Sequence, residues 1–321
     1  MGSESLTLAL QALLRSAGCA VPYRTLNAAL GLSFMTAVRH PERCLATWLS
    51  EGRDAFLVPI AARFGVRLRE LHPPEAAIGV EQAPEFAQHF QASYRPLIAR
   101  AIEHDQPVLA CRGWPGEAAT LWGVITGLDN GGLGLRGTTM ISDGEPVALE
   151  RPPVQVYVVE EIRPRVPSED ELLSRAVRNF RTVLHNRTDR RFGITTGPEA
   201  YQAWLERLRQ QDVCAVCREQ SGNCHRQMAR LVTCARESAA DFLAHYRGRV
   251  PDAVQHGLDA VGSACDEVRS ALTAACDQGS VDVLIQSETG RSRLAAGVQA
   301  ARDGDRAAAE SVDRLCEKLG I

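Results

Sequence analysis

Arg163-Pro164-Arg165-Val166-Pro167-Ser168-Glu169-Asp170-Glu171 is the stretch on which the reading of this chain turns. Pro164 and Pro167 lack a backbone N–H and restrict the residue before them, so neither a helix nor a strand ladder runs through 163–167. Directly beyond, Ser168 followed three residues later by Glu171 forms a capping box, the signature of a helix start. The two flanks differ. Pro153 to Ile162 (PVQVYVVEEI) is β-branched and partly alternating, which reads as a strand. After 168, apolar residues recur three and four apart to the end of the chain. The expected architecture is α+β, with a mixed domain over 1–163 followed by an all-helical domain over 168–321.

Upstream, Leu6, Leu10, Leu13 and Leu14 recur at helical spacing until Gly18 stops them. Short helices are expected around Trp48, Leu49, Ile60 and Phe64. A longer one is expected over 86–103, with Phe90, Tyr94, Leu97, Ile98 and Ile102 on one side. Strands follow at 107–111, 121–127 and 132–136, with a turn cluster at Asp129-Asn130-Gly131-Gly132. Helices followed by an antiparallel meander are an α+β signature rather than an alternating βαβ one. Downstream, helices are expected near 169–185, 198–211, 224–247, 252–277, 281–301 and 305–319.

The 321 residues are 45% hydrophobic and 23% charged, ample apolar material for about two folded domains. A net charge of -3 argues against a generally basic nucleic-acid coat. Lys318 is the only lysine among 36 Lys+Arg, a bias that reads as GC-rich coding rather than guanidinium chemistry. No stretch reaches the roughly 20 apolar residues that a bilayer crossing needs. Met1-Gly2-Ser3-Glu4-Ser5 lacks the pattern of a secretory signal, so a cytoplasmic setting is expected. There the ten cysteines, at 19, 44, 111, 214, 217, 224, 234, 265, 276 and 316, read as reduced thiols.

Three stretches carry a resemblance: SLTLALQALLRSAG (5–18), IARAIEHDQPVLA (98–110), and LWGVITGLDNGG (121–132) running into LGLRGTT (133–139). Over roughly 4–162 the chain resembles papain-like cysteine peptidases, in particular bacteriocin-leader peptidase-like domains and the N-terminal domain of butirosin biosynthesis protein H. The resemblance implies a helix-plus-antiparallel-sheet domain. It also implies, for active members, a thiolate at a helix N-terminus paired with a histidine that opens the LWGVITG-type strand. An Asp or Asn some sixteen residues further on orients that histidine. In this chain those positions fall on Ser5, Leu121 and Gly137. A serine without a base stays protonated, and leucine cannot accept a proton. No histidine lies between His104 and His185; His40, His72, His89 and His104 read as loop, surface or cap residues.

The expectation is therefore a non-catalytic relative whose cleft binds a small molecule or peptide. The candidate cleft is Ser5, Arg112, Trp114, Trp122 and Asp129, with the tryptophans as an aromatic wall and Arg112–Glu117 as a ligand-facing loop. A homo-oligomer stays open. The competing expectation is an acyltransferase or amide hydrolase with a relocated nucleophile, for which Cys19 and Cys111 are the local candidates; both also read as buried thiols.

In the second half, Gly197-Pro198-Glu199-Ala200-Tyr201-Gln202-Ala203-Trp204 is a helix start like those of helical extensions behind such domains in bacterial proteins. Tyr201 and Trp204 are expected to pack against the first domain. Cys214, Cys217, Cys224, His225 and Cys234 form the sharpest cluster. Cys-x2-Cys suits a first pair of zinc ligands, with two more to come from Cys224, His225 or Cys234, and also suits a redox pair. Against both, Cys224, Met228, Leu231 and Ala235 share one helical stripe, which reads as core, so no cofactor is expected and zinc is the alternative. Arg187, Arg190 and Arg191 read as a solvated basic loop moderated by Asp189.

Overall fold

A computed structural model describes residues 4–39, 53–71, 84–116, 121–129, 134–186, 194–209, 215–277 and 281–321. In chain order the elements are α1 (Ser5–Ser16), α2 (Tyr23–Ala29), a 3-10 turn (Leu32–Phe34), β1 (Ala37–Arg39), α3 (Leu57–Arg63) and β2 (Val66–Glu70). Next come α4 (Pro84–His89), a π turn (Phe90–Tyr94), α5 (Arg95–Glu103), β3 (Val108–Cys111), β4 (Trp122–Asp129), β5 (Gly134–Thr139), β6 (Val147–Ala148) and β7 (Gln155–Ile162). The remainder is α6 (Glu169–Leu184), β8 (Ile194–Thr196), α7 (Pro198–Arg209), α8 (Ala215–His245), α9 (Asp252–Asp277), α10 (Val281–Leu284) and α11 (Glu288–Leu319). The chain is α+β, as the sequence predicts. No described helix is long and apolar enough to cross a membrane.

Two compact units divide the chain. One joins 4–26 to 56–167, and the other joins 27–55 to 168–321. The second boundary coincides with Pro167 and Ser168. The reassignment of 27–55 to the helical unit is an addition to the single cut expected at 163–168.

In the first unit, six antiparallel strands lie in the order β2-β7-β3-β4-β5-β6. β3, β4 and β5 form the expected meander, the unexpected short strand β6 extends it, and β7 returns beside β3 to pair Leu109 with Tyr157. β2, which the sequence reading missed, adds to the outer edge of β7. The helix expected over 86–103 forms with a π turn at its centre. Pro96, which follows that turn, has no N–H to donate into a regular ladder. Ile98, Val108, Ala110, Trp114, Ile125 and Val156 are buried together between α5 and the sheet. Trp114 needs two glycines to seat there. Gly113 takes φ +83, and a Cβ on Gly123 would come within 2.5 Å of the Trp114 ring.

In the helical unit, Ser168 Oγ accepts the Glu171 N–H at 3.2 Å, the expected cap of α6. One departure from an all-helical reading is β8, which pairs with β1 in the register Ala37↔Thr196 to Arg39↔Ile194. β8 is only three residues long, too short for a periodic pattern in the sequence to mark it. α11 also runs unbroken through Arg302-Asp303-Gly304-Asp305, where a break was expected. Gly304 marks a close approach rather than a stop, because its absent Cβ would lie 2.8 Å from Val268 on α9. Gly297 does the same against Ala275, at 2.3 Å. The true helix start is at Ser287, whose Oγ accepts the Gly290 N–H.

Candidate functional site

The three positions to which the resemblance would assign a catalytic triad, Ser5, Leu121 and Gly137, each make other contacts. Ser5 opens α1, is 7% exposed, and its Oγ accepts the backbone N–H of Trp122 at 3.2 Å. Leu121 packs against the sheet core, and its carbonyl accepts the Arg112 N–H at 3.0 Å. Gly137 sits in β5 opposite Ile125. A Cβ there would lie 2.0 Å from the Val124 carbonyl oxygen, so in this register position 137 has no room for a carboxylate side chain.

Four of the five expected cleft residues lie near one another at one end of β3 and β4, where the Arg112 N–H bonds the Leu121 carbonyl and the Trp114 ring lies against Gly123. Ser5 and Trp122 meet, but Trp114 and Trp122 are each 1% exposed and supply core rather than an aromatic wall. Trp122 packs on Tyr157 at 6.0 Å between ring centroids. Its indole N–H finds no acceptor among the described residues. Arg112 is half-buried with φ +67, a left-handed backbone unusual for a side chain with a Cβ. Asp129 closes β4, seven residues from Trp122 and so about 23 Å away along the strand. Glu117 and Asn130-Gly131-Gly132 lie outside the described residues.

The relocated-nucleophile candidates are packed in. Cys111 is 2% exposed in β3. Cys19 is 3% exposed, with its thiol donating towards the Phe64 carbonyl at 3.5 Å. His89 is exposed at the end of α4, edge-on to Tyr94. His104 ends α5 with Nδ1 donating to the Arg100 carbonyl at 2.7 Å. His40 and His72 lie outside the described residues.

In the cysteine cluster, Cys214 lies outside the described residues, as do the Cys217 side chain and the basic loop 187–191. The helix expected from 224 begins at Ala215, so Cys224 and His225 are interior to α8. Cys224, Met228 and Ala235 are buried as the stripe predicts; Leu231 is half-buried and Val232 takes the core place. His225 is 4% exposed, lies 9° from parallel to the Trp204 ring, and its Nδ1 accepts the Trp204 indole N–H at 2.9 Å. That bond fixes a neutral ring with its proton on Nε2. Burial, and then the charge of Arg207, push the His225 imidazole down to about 4. No three His, Cys, Asp or Glu side chains converge as a metal set among the described residues. Tyr201 and Trp204 meet the expected 1–163 domain through its 27–55 segment, which belongs to the helical unit. Both are 0% exposed in the core of the helical unit, with Val38 from the 27–55 segment beside them.

The strongest polar feature of the helical unit was not foreseen. Arg236 on α8 and Asp305 on α11 form a fully buried ion pair, bonded from Nε to Oδ1 at 2.9 Å and from Nη2 to Oδ2. Arg236 also donates to the Ser33 carbonyl and to Thr36 Oγ1, each at 3.0 Å, and lies over the Phe34 ring. Thr36 in turn bonds the Tyr201 hydroxyl at 3.1 Å. Nη1 and Nη2 thus fasten 33–36 to the helices, while Nε and Nη2 hold Asp305. Burial opposes the Arg236 charge, and the carboxylate of Asp305 more than offsets it, so the guanidinium is held above its ordinary value. Burial pushes the neighbouring Cys265 thiol up to about 12, which leaves it unreactive near neutrality. A sequence signal exists: Arg236 lies between buried Val232 and Ala239, and Asp305 between buried Ala301 and Ala308. Each is a charge on an apolar stripe.

A cleft of about 520 Å³ opens where the end of α6, the start of α7 and α11 meet. Leu184, Pro198 and Ala309 give it apolar surface, and Arg302, Arg306, Glu199 and Glu310 give it charge. Gln202 accepts a hydrogen bond from Arg302 Nη1 at 2.6 Å. At one rim, His185 Nε2 bonds Asp313 at 2.9 Å, and Asp313 also takes Arg181 Nε at 2.8 Å. Glu199 is held by the Asn186 amide, which also accepts the Thr196 N–H. The sequence reading singled out none of these cleft residues by role, because they converge from positions more than a hundred residues apart.

A scan against protein-family models finds no match to this chain, and a search of curated proteins finds none either.

Proposed function

We propose that this chain is a non-catalytic binding protein, built on a domain that resembles papain-like cysteine peptidases and carrying a helical region behind it. The observation that supports the reading is the Ser5 hydroxyl. It is buried, it accepts a main-chain N–H from Trp122 at 3.2 Å, and leucine stands at the position where a base would sit. A hydroxyl held in this way has no partner to take its proton, and an unassisted serine is a poor nucleophile near neutral pH. Gly137, with no space for a side chain, supports the same reading. A cytoplasmic setting and a small-molecule or peptide ligand belong to it.

The test is covalent trapping. The protein is incubated with a peptidyl chloromethyl ketone and, separately, with an epoxysuccinyl peptide, and its intact mass is followed. The reading predicts no stoichiometric adduct confined to one residue. A one-to-one adduct at a single residue overturns it and assigns an acyl-transfer or hydrolytic activity with a relocated nucleophile.

A further inference from the structure

We infer that the cleft between α6, α7 and α11 binds a small zwitterionic carboxylate, with free amino acids and short peptides as its chemical class. The inference rests on the binding reading above and gives it a place and a ligand chemistry. Arg302 carries the argument. Its side chain is 16% exposed, and its Nε–H is buried without a hydrogen-bond acceptor among the described residues. Among the described residues the one carboxylate within 4.0 Å is Asp303, at 3.8 Å; it is 56% exposed and shared with Arg306. A guanidinium taken this far out of water is ordinarily matched by a close carboxylate, as Arg236 is by Asp305 in the same unit. Gln202 fixes the orientation of the Arg302 fork through a neutral bond, and the exposed Asp303 carboxylate at 3.8 Å offsets its charge only in part. An incoming carboxylate supplies the remainder by charge and by hydrogen bonds to the terminal guanidinium nitrogens, with no access to the buried Nε required.

The opposite charge decides the rest of the ligand. Glu310, one turn beyond Arg306 on α11, makes no ion pair or hydrogen bond among the described residues, and it lines the same cleft. Glu199 stands across from it on α7. Two guanidinium groups against two carboxylates leave the lining without net charge. A polyanion such as a phosphate ester gains at Arg302 and Arg306 and loses at Glu199 and Glu310. A molecule with one carboxylate and one ammonium gains at both. The cleft volume lies within the range of small-molecule sites, and its Leu184, Pro198 and Ala309 surface accepts the apolar body of such a ligand.

The experiment is equilibrium dialysis of the full chain with four probes: glycylglycine, N-acetylglycine, glycinamide and inorganic phosphate. The expected result is saturable one-to-one uptake of glycylglycine, N-acetylglycine weaker by about tenfold, and no uptake of glycinamide or phosphate. Arg302→Leu removes the uptake. Because Arg302 is largely buried, exposed Glu310→Gln is the second variant. It weakens glycylglycine by about tenfold and leaves N-acetylglycine unchanged. Absence of saturable glycylglycine uptake, phosphate binding as tightly as glycylglycine, or an unchanged affinity in Glu310→Gln overturns the assignment. Failure here without a covalent adduct in the trapping experiment removes only this site. Conversion of glycylglycine to glycine during dialysis removes the non-catalytic reading instead.

Discussion

Acidification singles out one side chain in the helical unit. The unfolded chain protonates His225 near the ordinary value of 6.5, whereas the fold resists protonation until about 4. Protonation places a charge at a ring that is 4% exposed, and it removes the Nδ1 lone pair that receives the Trp204 indole N–H. The stabilisation from keeping the ring neutral is fully present above 6.5. It drains as the pH falls towards 4, because there the unfolded state binds a proton that the fold does not. A separation of about 2.5 units at 1.36 kcal/mol each amounts to about 3 kcal/mol. His225→Gln isolates this contribution, since its side-chain oxygen can still accept from Trp204 and does not titrate. Urea unfolding is followed by tryptophan fluorescence at intervals from about pH 7.5 to about pH 4 for both proteins. The stability gap between wild type and variant should shift by about 3 kcal/mol over that interval, in favour of the variant at the acid end. Parallel curves would refute the reasoning and mean that His225 titrates as an exposed imidazole does.

Two further predictions concern packing and charge. Arg236→Met leaves the Asp305 carboxylate buried without its partner and should cost about 3–5 kcal/mol in urea unfolding, whereas Arg236→Met with Asp305→Leu should recover most of that loss; a double variant as weak as the single would contradict the ion-pair account. Gly297→Ala gains about 1 kcal/mol of helix propensity, yet its new methyl meets the Ala275 methyl at 2.3 Å. The thermal midpoint should therefore fall and should partly return in Gly297→Ala with Ala275→Gly, and a rise in the single variant would contradict the close approach of α9 and α11.

What could be read in advance follows from how local the physical signal is. Pro164, Pro167 and the Ser168 cap fix the start of the helical region through backbone chemistry within nine residues, and β4 and β7 announce themselves by β-branched runs. β1 and β8 are three residues each, and they are strands only because Ala37 and Thr196 find each other across 159 positions. Gly304 reads as a breaker when considered alone, and it becomes helix interior only because Val268 needs the space. The assignment of Trp114 and Trp122 to a ligand wall failed for a similar reason. An aromatic beside Gly and Pro looks like a loop residue until Gly113 and Gly123 are seen to make room for it in the core. Arg302 and Glu310 carry no signal in the sequence, because nothing within one turn of α11 indicates that α6 and α7 close a cleft over them.

The central claim is that the chain holds no activated nucleophile, and the rate of iodoacetamide alkylation at each cysteine, measured against pH by peptide mass spectrometry, tests it most directly. The account predicts that no cysteine reacts fast near neutrality, and that Cys265, whose thiol burial pushes up to about 12, is among the slowest. A single cysteine whose fast rate is already flat below about pH 7 would be a preformed thiolate, and it would contradict the account.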